Sequence, residues 1–166
     1  MEKQKLDMMN EGLQICVLTA KTLKSQFPNE LMKIREDTIL PCMVKNKRKL
    51  GLRKKDNMGS YYAFYSNSRI GIKPKILIEK PPMLRTKVTN QSDRIHLHGN
   101  FALVELICHE LAHHRTKGHA KGFKQKYYKF LKYMSSLIVL SVSPIFDEND
   151  KAEARVELQR LKELMV

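Results

Sequence analysis

Residues 109–119 read HELAHHRTKGH, and the order of side chains in that stretch defines a chemistry before any fold is considered. His109 and His113 are four residues apart, about 40° of rotation on a helix, so both imidazoles leave one face and reach one cation. Zinc takes such nitrogen donors at about 2.0–2.1 Å. Glu110 follows the first histidine directly, close to the cation without being obliged to bind it. A carboxylate there takes the proton of a zinc-activated water as it attacks a carbonyl, then returns it to the leaving nitrogen. Two histidines leave a tetrahedral zinc one protein ligand short when a position is kept for water. His119, six residues past His113, fits that third role. A continued helix would carry residue 119 away from residue 113, so the helix must end first, and Gly118 supplies permissive backbone for that.

This chemistry needs a helix under the histidines and a frame around the helix. From Asn100, read as an N-cap, the run FALVELICHELAHHRTK is apolar nearly all round until the first histidine, the pattern of a buried helix. Upstream, Leu6, Met9, Leu13, Cys16, Ala20 and Leu23 recur at steps of three and four, predicting an amphipathic helix that ends near Phe27-Pro28. NELMKIRE, with Asn29 as its cap, reads as a second short helix. From Thr38 to Leu97 glycines and prolines punctuate the short runs TILPCMV, SYYAFYS, RIGIK, KILIEK and RIHLHGN, which read as the strands of a small, mostly antiparallel sheet. Downstream, Phe123, Tyr127, Phe130, Met134 and Leu137 form one helical stripe, while LIVLSV is open between helix and strand. A last helix is expected to turn Ala154, Leu158, Leu161 and Met165 inward. The fold class expected is α+β, one domain over residues 1–166: an N-terminal helix, the sheet, the buried helix of the histidines and C-terminal helices.

Thirty-one Lys and Arg against seventeen Asp and Glu give a net charge of +14, the balance of a chain with a polyanionic partner, most often nucleic acid. Three widely spaced cysteines, with no CxxC pair, argue against a disulfide framework or a cysteine zinc ribbon and point to reduced thiols inside a cell. The charged start MEKQKLDMMNEGLQ is no signal peptide, and the apolar runs are far shorter than a bilayer span, so a soluble intracellular protein is expected.

Other residues invite a role. KNKRKLGLRKK holds Lys45, Lys47, Arg48, Lys49, Arg53, Lys54 and Lys55, a basic hairpin rim suited to phosphate contact, or else a charged edge that blocks strand pairing. Tyr61, Tyr62, Phe64 and Tyr65 follow it, as core or as stacking platforms for exposed bases. His96 and His98 share a strand face and are candidates for lining a substrate cleft. Tyr127, Tyr128 and Tyr133 are candidate oxyanion donors, with nothing in the spacing to choose among them. A closed, structural zinc site would instead need a fourth protein ligand such as Cys108 or His114.

HELAHHRTKGHAKGF resembles the core motif of the WLM-domain and YgjP-like metallopeptidases, and its HExxH portion is similar to the SprT-like (Spartan-type) proteases. The resemblance covers residues 94–130. It implies a zincin-like fold, His109, His113 and His119 as zinc ligands, Glu110 as catalytic base, and Phe123 as a buried aromatic under the loop of the third ligand. Two of these families are linked to proteolysis of proteins crosslinked to DNA. The chain lacks the cysteine zinc ribbon common after SprT-like domains, and where metzincins carry a glycine after the second histidine it has Thr116; Met134 is the candidate for their methionine turn. The expectation is therefore a zinc metalloendopeptidase acting on proteins bound or crosslinked to DNA, single-stranded or damaged. The alternatives are a nucleic-acid-binding module with a structural zinc and a peptidase independent of nucleic acid.

Overall fold

A computed structural model describes residues 2–35, 38–41, 63–66, 69–80, 83–84, 96–97, 99–114, 116 and 121–165. Contacts gather into two compact units, Met1–Lys80 and Pro81–Val166.

The first unit is built on α1 (Lys3–Gln26). Its buried positions Met9, Gly12, Ile15, Cys16, Thr19, Ala20 and Leu23 follow the three-and-four spacing, and the buried Thr19 hydroxyl donates to the Ile15 carbonyl at 2.8 Å. Leu6, expected on the apolar face, is exposed. The helix stops at Phe27, and α2 (Pro28–Leu31) begins with Pro at its first position. That replaces the expected Asn29 cap: a proline there loses no hydrogen bond and has its φ already set.

Three strands follow, β1 (Ile39–Pro41), β2 (Ala63–Ser66) and β3 (Arg69–Ile72), with β3 in the centre. β1 runs parallel to β3, Ile39 opposite Ile70, while β2 runs antiparallel to it, Ala63 opposite Ile72. The sheet is thus mixed, and the expectation of a mostly antiparallel one is corrected: alternation along a strand shows which face is buried and not which way its neighbour runs.

KILIEK is a helix, α3 (Pro74–Glu79), where the sequence suggests a strand. Pro74 starts it, Ile76 and Leu77 are buried side by side, and Lys80 ends it in the left-handed region at φ 47° with its N–H on the Ile76 carbonyl. A short apolar run such as residues 76–78 looks alike in either conformation, and the proline and packing against α1 decide. That packing is close: a Cβ on Gly12 would overlap the Leu77 carbonyl.

The second unit pairs β4 (Met83–Leu84) antiparallel with β5 (His96–Leu97) and adds α4 (Gly99–Ala112), α5 (Lys121–Leu140) and α6 (Glu148–Leu164). α4 packs against β5, α5 and α6, so Phe101, Ala102, Leu103, Val104, Ile107 and Cys108 are all fully buried although they cover every side of the helix. LIVLSV resolves as the end of α5, which runs to Leu140. Met134 sits inside that helix, so it makes no methionine turn. Phe123, Tyr127, Phe130 and Met134 are buried as expected, while Leu137 faces out. On α6 the buried stripe is Asp150, Ala154, Glu157 and Leu161, rotated from the apolar one expected, and Met165 is exposed. The rotation brings two carboxylates inward, each with partners: Arg160 donates to Glu157, and Asp150 serves two helix ends.

No helix among the described residues is long and apolar enough to cross a membrane.

Candidate metal centre

Two pins set the position of α4. At its start Asp150 Oδ1 accepts from the Phe101 N–H at 3.3 Å, while Asp150 Oδ2 accepts from the Asp147 N–H at 3.0 Å in the capping box of α6. Gly99 stands at φ 61°, and a Cβ there would come to 3.0 Å from the same carboxylate. The cap expected from Asn100 is therefore supplied from α6; the Asn100 amide donates instead to the Ile145 carbonyl at 2.7 Å. At the other end the helix closes earlier than Gly118 suggests. After Ala112 the chain tightens, with the N–H of His113 on the Glu110 carbonyl, that of His114 on Leu111 and that of Thr116 on His113. Lys126 of α5 donates to the His114 carbonyl and the Thr116 hydroxyl, both at 2.9 Å, placing a cation where the helix dipole is negative.

His109 and His113 stand between these tightened turns and α5. Their ring centroids are 5.1 Å apart, with the planes at 68°. Phe123 lies against both, at 4.4 Å from His113 and 5.0 Å edge-on to His109, and Tyr127 meets His109 at 5.8 Å. Neither histidine is fully buried. His113 Nδ1 is 3.3 Å from the Thr116 carbonyl, an acceptor only, so the bond is made with a proton on Nδ1, and in the neutral ring that tautomer leaves the lone pair on Nε2. A backbone carbonyl on the far nitrogen is the usual support of a metal-binding imidazole, and the donor set fits zinc in this respect.

Glu110 is buried, 7% exposed, and burial together with the nearby Glu105 carboxylate pushes its pKa up to about 8. The end of a helix adds to the cost of a negative charge. A cation between the imidazoles would reverse that balance and favour the carboxylate. Glu105 itself is buried one turn before His109 and accepts a hydrogen bond from the hydroxyl of Tyr127, which is wholly buried. Tyr127 is thereby committed to Glu105 and is no free oxyanion donor; Tyr128 and Tyr133 are half-buried. Cys108 and His114, the candidate extra ligands, are both buried.

Of the sequence-derived site residues, the structure brings the rings of His109 and His113 together and puts Phe123 against both, while Glu110 is buried next to His109 in the chain. His119, His98 and the basic run Lys45, Lys47, Arg48, Lys49, Arg53, Lys54 and Lys55 lie outside the described residues. Among the described residues no group of three or more His, Cys, Asp or Glu is placed to hold a metal ion. His96 pairs with Leu84 in the β4–β5 ribbon. Sequence reasoning missed Glu105, although a glutamate inside the apolar run FALVELIC is the visible signal. It also missed Asp150, which nothing near the motif announces. No family model, curated protein or solved structure matches the chain.

Proposed function

We propose that the chain is a zinc-dependent peptide hydrolase of zincin-like build, with His109, His113 and His119 as metal ligands and Glu110 as the proton-transferring group. The observation that carries this reading is the pair of imidazoles at one helix end, His113 held through Nδ1 by a carbonyl, next in the chain to a buried carboxyl. Zinc, when bound, supplies Lewis acidity toward the scissile carbonyl and the attacking water. The chain's own residues do the rest. His113 presents Nε2, and Phe123 and Tyr127 limit how the two rings can turn. Glu110, in surroundings that accept a proton near neutral pH, takes one from water and delivers it to the leaving nitrogen. The substrate proposed is protein held on DNA in an intracellular setting, since a net charge of +14 concentrates the enzyme on a polyanion.

The test pairs metal content with cleavage. Wild type and Glu110→Gln are purified, their zinc is quantified, and each is incubated with a DNA-binding protein with and without single-stranded DNA. Equal zinc in both, with cleavage lowered roughly 10²- to 10⁴-fold in the variant, is the expected result. Zinc in both with no cleavage by wild type in any condition leaves a structural site; no zinc in wild type overturns the reading. Cleavage indifferent to DNA removes the proposed substrate and leaves the hydrolase.

A further inference from the structure

Nothing in the zinc chemistry calls for a second carboxylate in α4, yet Glu105 is there, 4% exposed, in a helix otherwise apolar at that level. Burying a carboxylate costs several kcal/mol, and an apolar pair of similar size would join α4 to α5 more cheaply. The bond it makes is specific: Tyr127, fully buried on α5, donates its hydroxyl to Glu105 Oε1. Both partners abut the candidate centre. Glu105 is one helical turn before His109, on the same face. The Tyr127 ring stands edge-on to His109 at 5.8 Å and to Phe123 at 5.7 Å, and Phe123 touches both histidine rings. One hydroxyl–carboxyl bond thus fixes the depth and rotation of the α5 aromatics against which the imidazoles rest.

We infer that Glu105 and Tyr127 are a positioning pair for the metal centre, holding His109 at the angle a cation requires while touching neither cation nor substrate. The inference rests on the proposed zinc site. It predicts that metal affinity depends on the bond beyond what the bond contributes to folding. Zinc affinity is measured by competition with a chromophoric chelator, and the stability of each metal-free protein by urea unfolding. Tyr127→Phe keeps the ring and removes the oxygen; its zinc Kd is expected to rise by roughly 10- to 100-fold, the usual cost of losing a support behind a ligand. Glu105→Gln keeps an acceptor for the tyrosine hydroxyl and is expected to stay closer to wild type. The double variant Glu105→Leu with Tyr127→Phe replaces the pair by an apolar contact; it is expected to fold at least as well as wild type and still bind zinc weakly. Wild-type affinity in Tyr127→Phe, or in the double variant should the single one not fold, overturns the pair while leaving the zinc site intact. Absence of zinc binding by wild type overturns both.

Discussion

At its first turn α4 meets the carboxylate of Asp150, and in its last turn it carries that of Glu110; both are buried, and burial pushes both pKa values up. The second influence differs. At Asp150 the backbone N–H groups of Asp147 and Phe101 pull the pKa back down, and the positive end of the helix dipole favours the charge. At Glu110 the next influence is another carboxylate, Glu105, which pushes the same way as burial. One carboxylate has its charge answered by fixed donors, and its work is to hold two helices together. The other meets, among the described residues, influences that oppose its charge, and a proton or a cation would relieve them. Two buried acids at opposite ends of α4, one supplied by α6 and one by α4 itself, are separated by what faces them.

The largest expected effect breaks this contrast from the Glu110 side. Between its ordinary value of 4.5 and about 8, the unfolded chain has released this proton while the folded chain keeps it, so folding takes up a proton. Stability of the metal-free protein should fall as pH rises through that window, by on the order of a few kcal/mol, since each pH unit crossed costs about 1.4 kcal/mol. Glu110→Gln should flatten most of the slope, which urea unfolding at pH 5, 6.5 and 8 would measure; an equal slope in both proteins would mean that Glu110 is not buried in this way. Next in size, Asp150→Ala should cost about 2–3 kcal/mol, since it removes the acceptor at the start of α4 and half of the capping box of α6. Asp150→Asn, which keeps one acceptor, should lose less in the same denaturation assay; equal losses would make the carboxylate's double bonding irrelevant. Smallest is Lys126→Met, which removes two hydrogen bonds from a half-exposed lysine at the other end of α4, about 1 kcal/mol. Its signature is local: faster amide exchange at Thr116 with little change at Phe101. Uniform acceleration along α4 would mean that the two pins are not independent.

What the sequence makes legible here is whatever depends on neighbours in the chain. The three-and-four spacing of α1 and the apolar stripe of α5 each report a face of one helix that the structure largely keeps, and the four-residue step brings the His109 and His113 rings to 5.1 Å although His113 lies just past the end of α4. Features set by distant residues escape. The parallel pairing of Ile39 with Ile70 joins segments about thirty residues apart, and nothing in either strand states its direction. KILIEK is decided by a proline that could open a helix and by a surface on α1 ready to receive it. Tyr127 reads as an oxyanion candidate because its partner, Glu105, lies on another helix and is taken for part of an apolar run. On α6 the polar residues Asp150 and Glu157 take inward positions because their partners are waiting there, a thing hydrophobic periodicity cannot express.

The cap on α4 also has a meaning in time. Phe101 waits for an acceptor 49 residues further along the chain. During synthesis at about 5–20 residues per second, that residue is added roughly 2 to 10 s after Phe101, and later still leaves the ribosome. By the last part of that interval every residue from His109 to His119 has been made while the helix beneath the first of them still lacks its anchor. A nascent chain thus carries the whole motif before α4 has the anchor that α6 gives to its first turn.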